Sequence, residues 1–372
     1  MSNKKKVLVA MSGGVDSSVA AILLQEQGYT VVGITLRVWD YISAGCKEKE
    51  KGCCSIEAIN DAKEVASQLG IEHYVLDYRK KFKQSVIQNF ISEYLEGRTP
   101  NPCVLCNKYI KWDALLKKAE QLNCDFIATG HYAKLKKENE RFILSKGADE
   151  NKDQSYVLWN LSQSALSRTI FPLGDFSKQE IKKIAKKTFS RIADKSESYD
   201  ICFIPDSNYR TFIKSQIANF DNKILPGNFV LTNGKIIGKH KGYPFYTIGQ
   251  RKGLEIAVGE PLFITKIIPD ENKIVVGKKE DTMQQRMIVK NINLIKYENL
   301  QANFRALTKI RYRDNGTMSI INQYYISDNR NIYFDITFDQ KVFAITPGQS
   351  AVFYEGNDVV GGGIIENTPS LL

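Results

Sequence analysis

The 372 residues are 43% hydrophobic and 25% charged, ordinary for a soluble globular protein and enough for two or three domains with buried cores. A net charge of +11 points toward a polyanionic partner. No stretch is long and apolar enough to span a bilayer, and Met1–Lys6 runs into a strand with no room for a signal peptide. The seven cysteines therefore read as reduced thiols for chemistry or metal ligation in a cytoplasmic protein, not as a disulfide scaffold.

In chain order, Val7–Met11 is an apolar strand that enters the turn Ser12-Gly13-Gly14-Val15-Asp16-Ser17-Ser18, and a helix follows from Val19 to Gln27, closed by Gly28. Gly13 and Gly14 let the backbone turn tightly and approach a ligand. The unpaired N–H groups at the helix start favour an anion there. Without a Lys-Ser/Thr ending this is not the loop that grips a γ-phosphate for hydrolysis. It resembles the pyrophosphate loop of ATP pyrophosphatases.

Strand and helix then alternate: a strand at 29–38, a helix at 55–69, a strand at 71–76, helices at 82–94 and 108–122, and a short strand at 125–129 ending in Gly130-His131-Tyr132. The alternation predicts an α/β domain over 1–208, a parallel sheet with helices on both faces and ligands at the carboxyl ends of its strands. Residues 151–200 read as helical and connecting, with Ser177-Lys178-Gln179-Glu180 a capping box. From Tyr209 short runs and turns indicate a small mixed central domain over 209–283. From Gln284 steady alternation, as in Thr317–Ile326 and Ile332–Phe338, predicts an antiparallel β-barrel over 284–372.

The second chemical feature is Gly97-Arg98-Thr99-Pro100-Asn101-Pro102-Cys103-Val104-Leu105-Cys106-Asn107-Lys108. Its prolines fix an extended loop before a helix, and a cysteine at a helix start has a stabilised, reactive thiolate. Cys103-x-x-Cys106 alone is open between metal and redox work. Cys202, between Ile201 and Phe203, reads alone as a buried small hydrophobe or as a nucleophile. Cys46, Cys53 and Cys54 could join Cys103 in a zinc site, although their spacing is not a standard zinc pattern. Basic clusters lie at 79–83, 182–191 and 235–241, and Arg311-Tyr312-Arg313 interleaves cation and aromatic on an expected barrel strand, a combination suited to RNA.

These motifs, with Asn151-Lys152-Asp153-Gln154-Ser155-Tyr156, Ile201-Cys202-Phe203-Ile204, Gly249-Gln250-Arg251-Lys252-Gly253-Leu254 and Thr346-Pro347-Gly348-Gln349, run in order along nearly the whole chain. Together they resemble the tRNA-specific 2-thiouridylases, which place sulfur on C2 of the wobble uridine in tRNAs for Lys, Glu and Gln. The resemblance implies adenylation of the C2 oxygen by ATP with Mg, sulfur delivery from a persulfide on Cys202, and resolution by Cys106 to leave a Cys106–Cys202 disulfide. It implies ATP contacts at Ala10, Met11, Ser12, Gly13, Gly14, Val15, Asp16, Ser17, Leu36 and Gly130. It further implies tRNA contacts at Asn101, Pro102, Cys103, His131, Lys152, Asp153, Gln154, Arg311, Tyr312 and Gln349. A cysteine desulfurase or sulfur-relay protein would supply the persulfide to a monomeric enzyme.

One position departs from the family pattern: Cys103 stands where many relatives carry an aspartate, which puts general acid/base work by a carboxylate there in doubt. With Cys106 and Cys202 it offers three soft ligands, an alternative in which an iron–sulfur cluster holds the sulfide. Two further classes remain open at this point. An amidating ligase shares the loop but leaves the cysteines unexplained, and a non-catalytic tRNA-binding protein does not need an intact loop.

Overall fold

The structure, a computed structural model, describes residues 4–39, 56–189, 201–204, 208–256, 259–325 and 332–366. Cys46, Cys53, Cys54, Arg191 and the end of the expected Thr317–Ile326 strand lie outside them. The chain forms two compact units: Met1–Ile87 with Cys103–Ser207 and Asn357–Val359, and Gln88–Pro102 with Asn208–Gly356 and Val360–Leu372.

The first unit is built on five parallel strands, β1 (Lys6–Ala10), β2 (Thr30–Arg37), β3 (His73–Asp77), β4 (Phe126–Ala128) and β7 (Thr169–Ile170), in the order β3-β2-β1-β4-β7. Val7, Leu8 and Val9 of the central strand are fully buried, as a strand covered on both faces requires. Val7 and Val9 pack with Val19, Leu23 and Leu24 of α1 (Val15–Glu26), Ala62 and Val65 of α2 (Ile56–Gln68), and Ile181 and Ala185 of a later helix. The order reverses beside β1, so the segments leaving β1 and β4 diverge at a switch point, where open α/β sheets bind ligands.

After β3 comes a continuous helical run: α3 (Arg79–Phe82), a π-helical segment Lys83–Ile87, and α4 (Gln88–Leu95). A second run follows: α5 (Pro102–Leu105), a π-helical segment Cys106–Trp112, and α6 (Asp113–Gln121), which packs on β1 and β4. An unanticipated hairpin joins β5 (Ala133–Glu138) and β6 (Arg141–Lys146), its alternation masked in the sequence by the lysines of β5. Asn139 and Glu140 both have positive φ, the backbone of a tight hairpin turn. The expected helical stretch from 151 is mostly turns, with the short α7 (Gln163–Leu166) and then α8 (Lys178–Thr188). The capping box of α8 forms as read: Glu180 N donates to Ser177 Oγ and Ser177 N to Glu180 Oε2.

In the second unit, α4 packs through Phe90 on Phe212 of α9 (Tyr209–Gln216), and Tyr94 stacks on Tyr209 at 5.0 Å. After α10 (Phe220–Lys223) the strands β8 (Gly227–Leu231), β9 (Ile236–His240), β10 (Phe263–Ile268) and β11 (Lys273–Gly277) form the mixed sheet β10-β11-β8-β9. It closes over Phe229, Tyr246, Leu254, Ile264 and Val276.

The last six strands, β12 (Met283–Leu294), β13 (Phe304–Lys309), β14 (Thr317–Tyr325), β15 (Ile332–Phe343), β16 (Ser350–Glu355) and β17 (Asp358–Glu366), form an antiparallel barrel closed by β12 against β17. Met287, Val289, Ile321, Phe334, Ile336 and Phe353 fill it. The Gly361–Gly363 run is a packing requirement, since a Cβ on Gly363 would lie 2.4 Å from Val289 Cγ1.

Arg311, Tyr312 and Arg313 are not on a barrel strand but in the turn after β13, where Ile310 N donates to Asp314 Oδ2 and Asp314 N to Arg311 O. The acidic side chain of Asp314 caps that turn and ends the ladder, a signal that alternation alone overrides.

All three histidines sit where burial holds their pKa below the usual 6.5: His73, with Lys63 adding to the effect, His131, with Lys111 adding to it, and His240. The unfolded chain therefore takes up protons near pH 6.5 that the folded chain refuses, so stability is full above that pH and falls below it. Urea midpoints should be lower at pH 5.5 than at 7.5, and His131→Asn should reduce that difference.

Candidate active site

The turn after β1 is held by its own serines. Ser12 N donates to Ser17 Oγ at 3.1 Å, and Ser17 Oγ and Ser18 Oγ donate to Gly14 O at 3.1 and 3.0 Å. Gly14 caps α1 with extended backbone and no side-chain cap bond, so that helix end keeps its N–H groups for a ligand. Gly13, at φ +72°, could carry no side chain, because a Cβ would sit 2.1 Å from Ala58 O of α2. Met11, just past Ala10, is tied to β2 by Met11 N to Ile34 O at 2.7 Å and by Thr35 Oγ1 donating to Met11 O at 2.7 Å. Val15 is buried at the head of α1, and Leu36 is half-buried near the end of β2.

The segment leaving β4 closes on the same loop. A Cβ on Gly130 would stand 2.9 Å from Asp16 C and Ser17 N, so the two backbones touch where the sheet order reverses. Tyr132 Oη donates to Asp16 Oδ1 at 2.7 Å, and Lys178 Nζ, from the first position of α8, donates to the same oxygen at 2.6 Å. Neither Tyr132 nor Lys178 stands out in the sequence as a site residue. The capping box, which fixes where α8 begins and hence where Lys178 projects, is the signal that could have found the lysine.

His131 is buried and its pKa is held well below the usual value, first by burial and then by Lys111. Lys111 Nζ lies 3.5 Å from Nε2, and an ammonium only donates. Nε2 is therefore the acceptor nitrogen, and Nδ1–H donates to Thr129 Oγ1 at 2.8 Å. A neutral, packed His131 cannot serve as a phosphate-binding cation.

Asp153 and Gln154 face inward. Asp153 Oδ1 accepts from Gly147 N and Ser155 N, and its Oδ2 from Ser155 Oγ. Gln154 holds Tyr132 through both Tyr132 N to Gln154 Oε1 and Gln154 N to Tyr132 O. Lys152 N donates to Asp149 O in the preceding turn.

Pro102 opens α5, the exposed Cys103 lies in its first turn, and half-buried Cys106 begins the π-helical segment. Cys103, not Cys106, thus takes the position nearest the helix start. Asn107 Nδ2 donates to Val157 O at 3.0 Å and Lys108 Nζ to Asn160 Oδ1 at 2.9 Å, which moors the Cys106 segment to the turns after Gln154. Half-buried Cys202 sits in a turn anchored by its neighbour: Phe203 is buried edge-on against Phe82 and Trp39, with ring centroids 5.5 and 6.3 Å away. Phe203 fills the apolar niche, so Cys202 is not the buried small hydrophobe its neighbours allow for. Cys103, Cys106, Cys124 and Cys202 are not in disulfides.

In the second unit, Gln349 Nε2 donates to Thr99 O at 2.9 Å and Pro100 O at 3.2 Å, and Thr99 N donates to Pro347 O. The Thr346–Gln349 turn thereby grips the loop that leads to Asn101. Arg311 donates to the carbonyls of Phe343 and Ala344 and lies over the Phe343 ring, whereas Tyr312 is exposed.

Three family models match consecutive stretches: the tRNA methyl transferase HUP domain over residues 5–206, the tRNA methyl transferase PRC-barrel domain over 210–278, and the aminomethyltransferase beta-barrel domain over 284–365. The chain is 52% identical over 370 residues to the tRNA-specific 2-thiouridylase MnmA of Cytophaga hutchinsonii, covering 99% of both chains. It is 53% identical to that of Amoebophilus asiaticus, covering 98% of this chain and 96% of the relative, and 51% identical to that of Salinibacter ruber, covering 98% and 95%. The chain belongs to the tRNA-specific 2-thiouridylase family.

With that membership the chain is a tRNA sulfurtransferase that uses ATP. Among the described residues no group of three or more His, Cys, Asp or Glu is placed to hold a metal. Cys103, Cys106 and Cys202 are all described, so the geometry lends the cluster alternative no support. No helix among the described residues is long and apolar enough to cross a membrane. In a 2-thiouridylase built this way, Gly130→Ala should push on the backbone of Asp16–Ser17 and weaken ATP binding about tenfold, near 1.4 kcal/mol. Equilibrium nucleotide binding checks this; undiminished affinity would mean that the loop does not depend on its contact with Gly130.

Proposed function

We propose that this enzyme 2-thiolates the wobble uridine of tRNAs for Lys, Glu and Gln through a two-cysteine persulfide route. The observation that carries the reading is the intact anion-binding loop, seated on Gly130, in the same compact unit as Cys106 and Cys202. ATP enters as its magnesium complex, the ion riding on the phosphates. The C2 oxygen of uridine attacks the α-phosphorus, pyrophosphate leaves, and a poor leaving group becomes AMP.

The terminal sulfur of a Cys202 persulfide then attacks C2 and expels AMP, which leaves a Cys202–S–S–C2 linkage. The Cys106 thiolate attacks the Cys202 sulfur, 2-thiouridine departs, and a Cys106–Cys202 disulfide remains for a reductant to open. A cysteine desulfurase or sulfur-relay protein reloads the persulfide. Two thiols positioned at one carbon make both steps effectively intramolecular.

The domain division 1–208, 209–283 and 284–372 assigns nucleotide and sulfur chemistry to the first part, with RNA contacts there and on the last. Lys152, exposed Cys103 and exposed Tyr312 are the RNA-facing candidates. Asp153, Gln154 and His131 act on RNA indirectly, by shaping the turns around them. A methyl-transfer reading would leave both the phosphate loop and the two cysteines unexplained. Since tRNA and ATP are its substrates, the enzyme works in the cytoplasm.

The test is anaerobic enzyme, ATP, a persulfide source and unmodified tRNA, with 2-thiouridine and AMP counted together. Cys202→Ser and Cys106→Ser should each abolish thiolation while remaining folded. Sulfur transfer at the wild-type rate in either variant would remove that cysteine from the mechanism. Tyr312→Ala should weaken tRNA binding by roughly 1–3 kcal/mol if its ring carries a base.

A further inference from the structure

Asp16 is the one carboxylate in the stretch Ser12–Ser18, placed where a polyanion is to bind. Left alone it would repel the phosphates. Its Oδ1 instead accepts from Tyr132 Oη at 2.7 Å and from Lys178 Nζ at 2.6 Å. Lys178 is 9% exposed, and its ammonium also lies 5.8 Å from the centroid of the Tyr132 ring. A buried ammonium needs a counter-charge, and this one finds it on the loop.

Both donors are seated by a single stretch of chain. Lys178 N donates to Asp149 Oδ2 at 2.9 Å, while Asp149 Oδ1 accepts from Asn151 N. Tyr132 is held through its N and O by Gln154. The capping box fixes the first turn of α8, and with it the direction from which Lys178 reaches the loop.

We propose that Lys178, with Tyr132, is a positioning residue for ATP: it neutralises and orients Asp16, so that the loop meets the phosphates with its N–H groups and hydroxyls and without an unbalanced negative charge. The loop lacks a lysine of its own, and α8 supplies the compensating charge from 162 residues away in sequence. Lys178 acts through Asp16. That distinguishes it from a residue that simply straps α8 to the sheet, and from a lysine that grips the phosphate directly.

The assignment rests on the loop being the ATP site, and the experiment separates the two claims. Magnesium-ATP affinity is measured by equilibrium dialysis for the wild-type protein, Lys178→Met, Lys178→Arg, Asp16→Asn and the Asp16→Asn/Lys178→Met double variant, with melting curves on each. Lys178→Met should weaken ATP binding roughly tenfold, the scale of leaving one member of a buried charge pair alone, and Lys178→Arg should restore most of it. In the Asp16→Asn background the same Lys178→Met change should cost less than about twofold, because the charge it answers is gone.

Equal losses in both backgrounds would mean that Lys178 works independently of Asp16, and an undiminished affinity in folded Lys178→Met would overturn the assignment outright. Should Lys178→Met fail to fold, Tyr132→Phe, which removes only a hydroxyl, should weaken ATP binding about threefold, the scale of one hydrogen bond to a charge, and unchanged affinity there would count against the proposal. Failure of the wild-type protein to bind ATP would instead defeat the reading of the loop itself.

Discussion

The backbone contact between Gly130 and Asp16–Ser17 is the constraint on which the rest of the first unit turns. A parallel sheet diverges where its strand order reverses, and here that point lies between β1 and β4. The gap is closed by a residue with no side chain, so the segment after β4 lies directly on the start of α1. Everything that follows Gly130 is placed by that contact. His131 turns into the core under Thr129 and Lys111, and Tyr132 arrives with its hydroxyl on Asp16.

From there the turns spanning 149–160 work as a common mooring. Asp149 and Gln154 seat the two groups that bind Asp16, while Val157 and Asn160 accept from the segment that carries Cys106. The loop after β1 and the Cys106 segment are thus referred to one short stretch of chain. Asp153 is the internal brace of that stretch, with three hydrogen bonds closing its own turn. On the second unit Gln349 performs a similar service for Thr99 and Pro100, setting the loop just ahead of Asn101.

Local chemistry was legible wherever a residue type has one strong use. The glycines and serines of 12–18, the capping box at Ser177 and the alternation of the barrel strands declare themselves because each rests on near-neighbour physics. The parallel sheet followed from the strand–helix alternation. The β5–β6 hairpin did not, because Lys134, Lys136 and Lys137 cover its pattern. Arg311–Arg313 was placed on a strand because its alternation is real, while the cap from Asp314 is a contact that periodicity cannot express. Lys178 stayed invisible for the same reason: its partner is remote in sequence, and a lysine at a helix start ordinarily points to water. Gln154 and Asp153 look polar and available, and only the fold shows that their side-chain oxygens are engaged.

In the proposed reaction ATP activates the uridine C2 oxygen and sulfur replaces it. The most direct measurement uses tRNA carrying oxygen-18 at O2 of the wobble uridine, in a single turnover with ATP and a persulfide donor, followed by mass analysis of the AMP released. Each AMP formed should carry one oxygen-18, in step with 2-thiouridine. Thiolated tRNA accompanied by unlabelled AMP would contradict it, because the oxygen would then have left by another route.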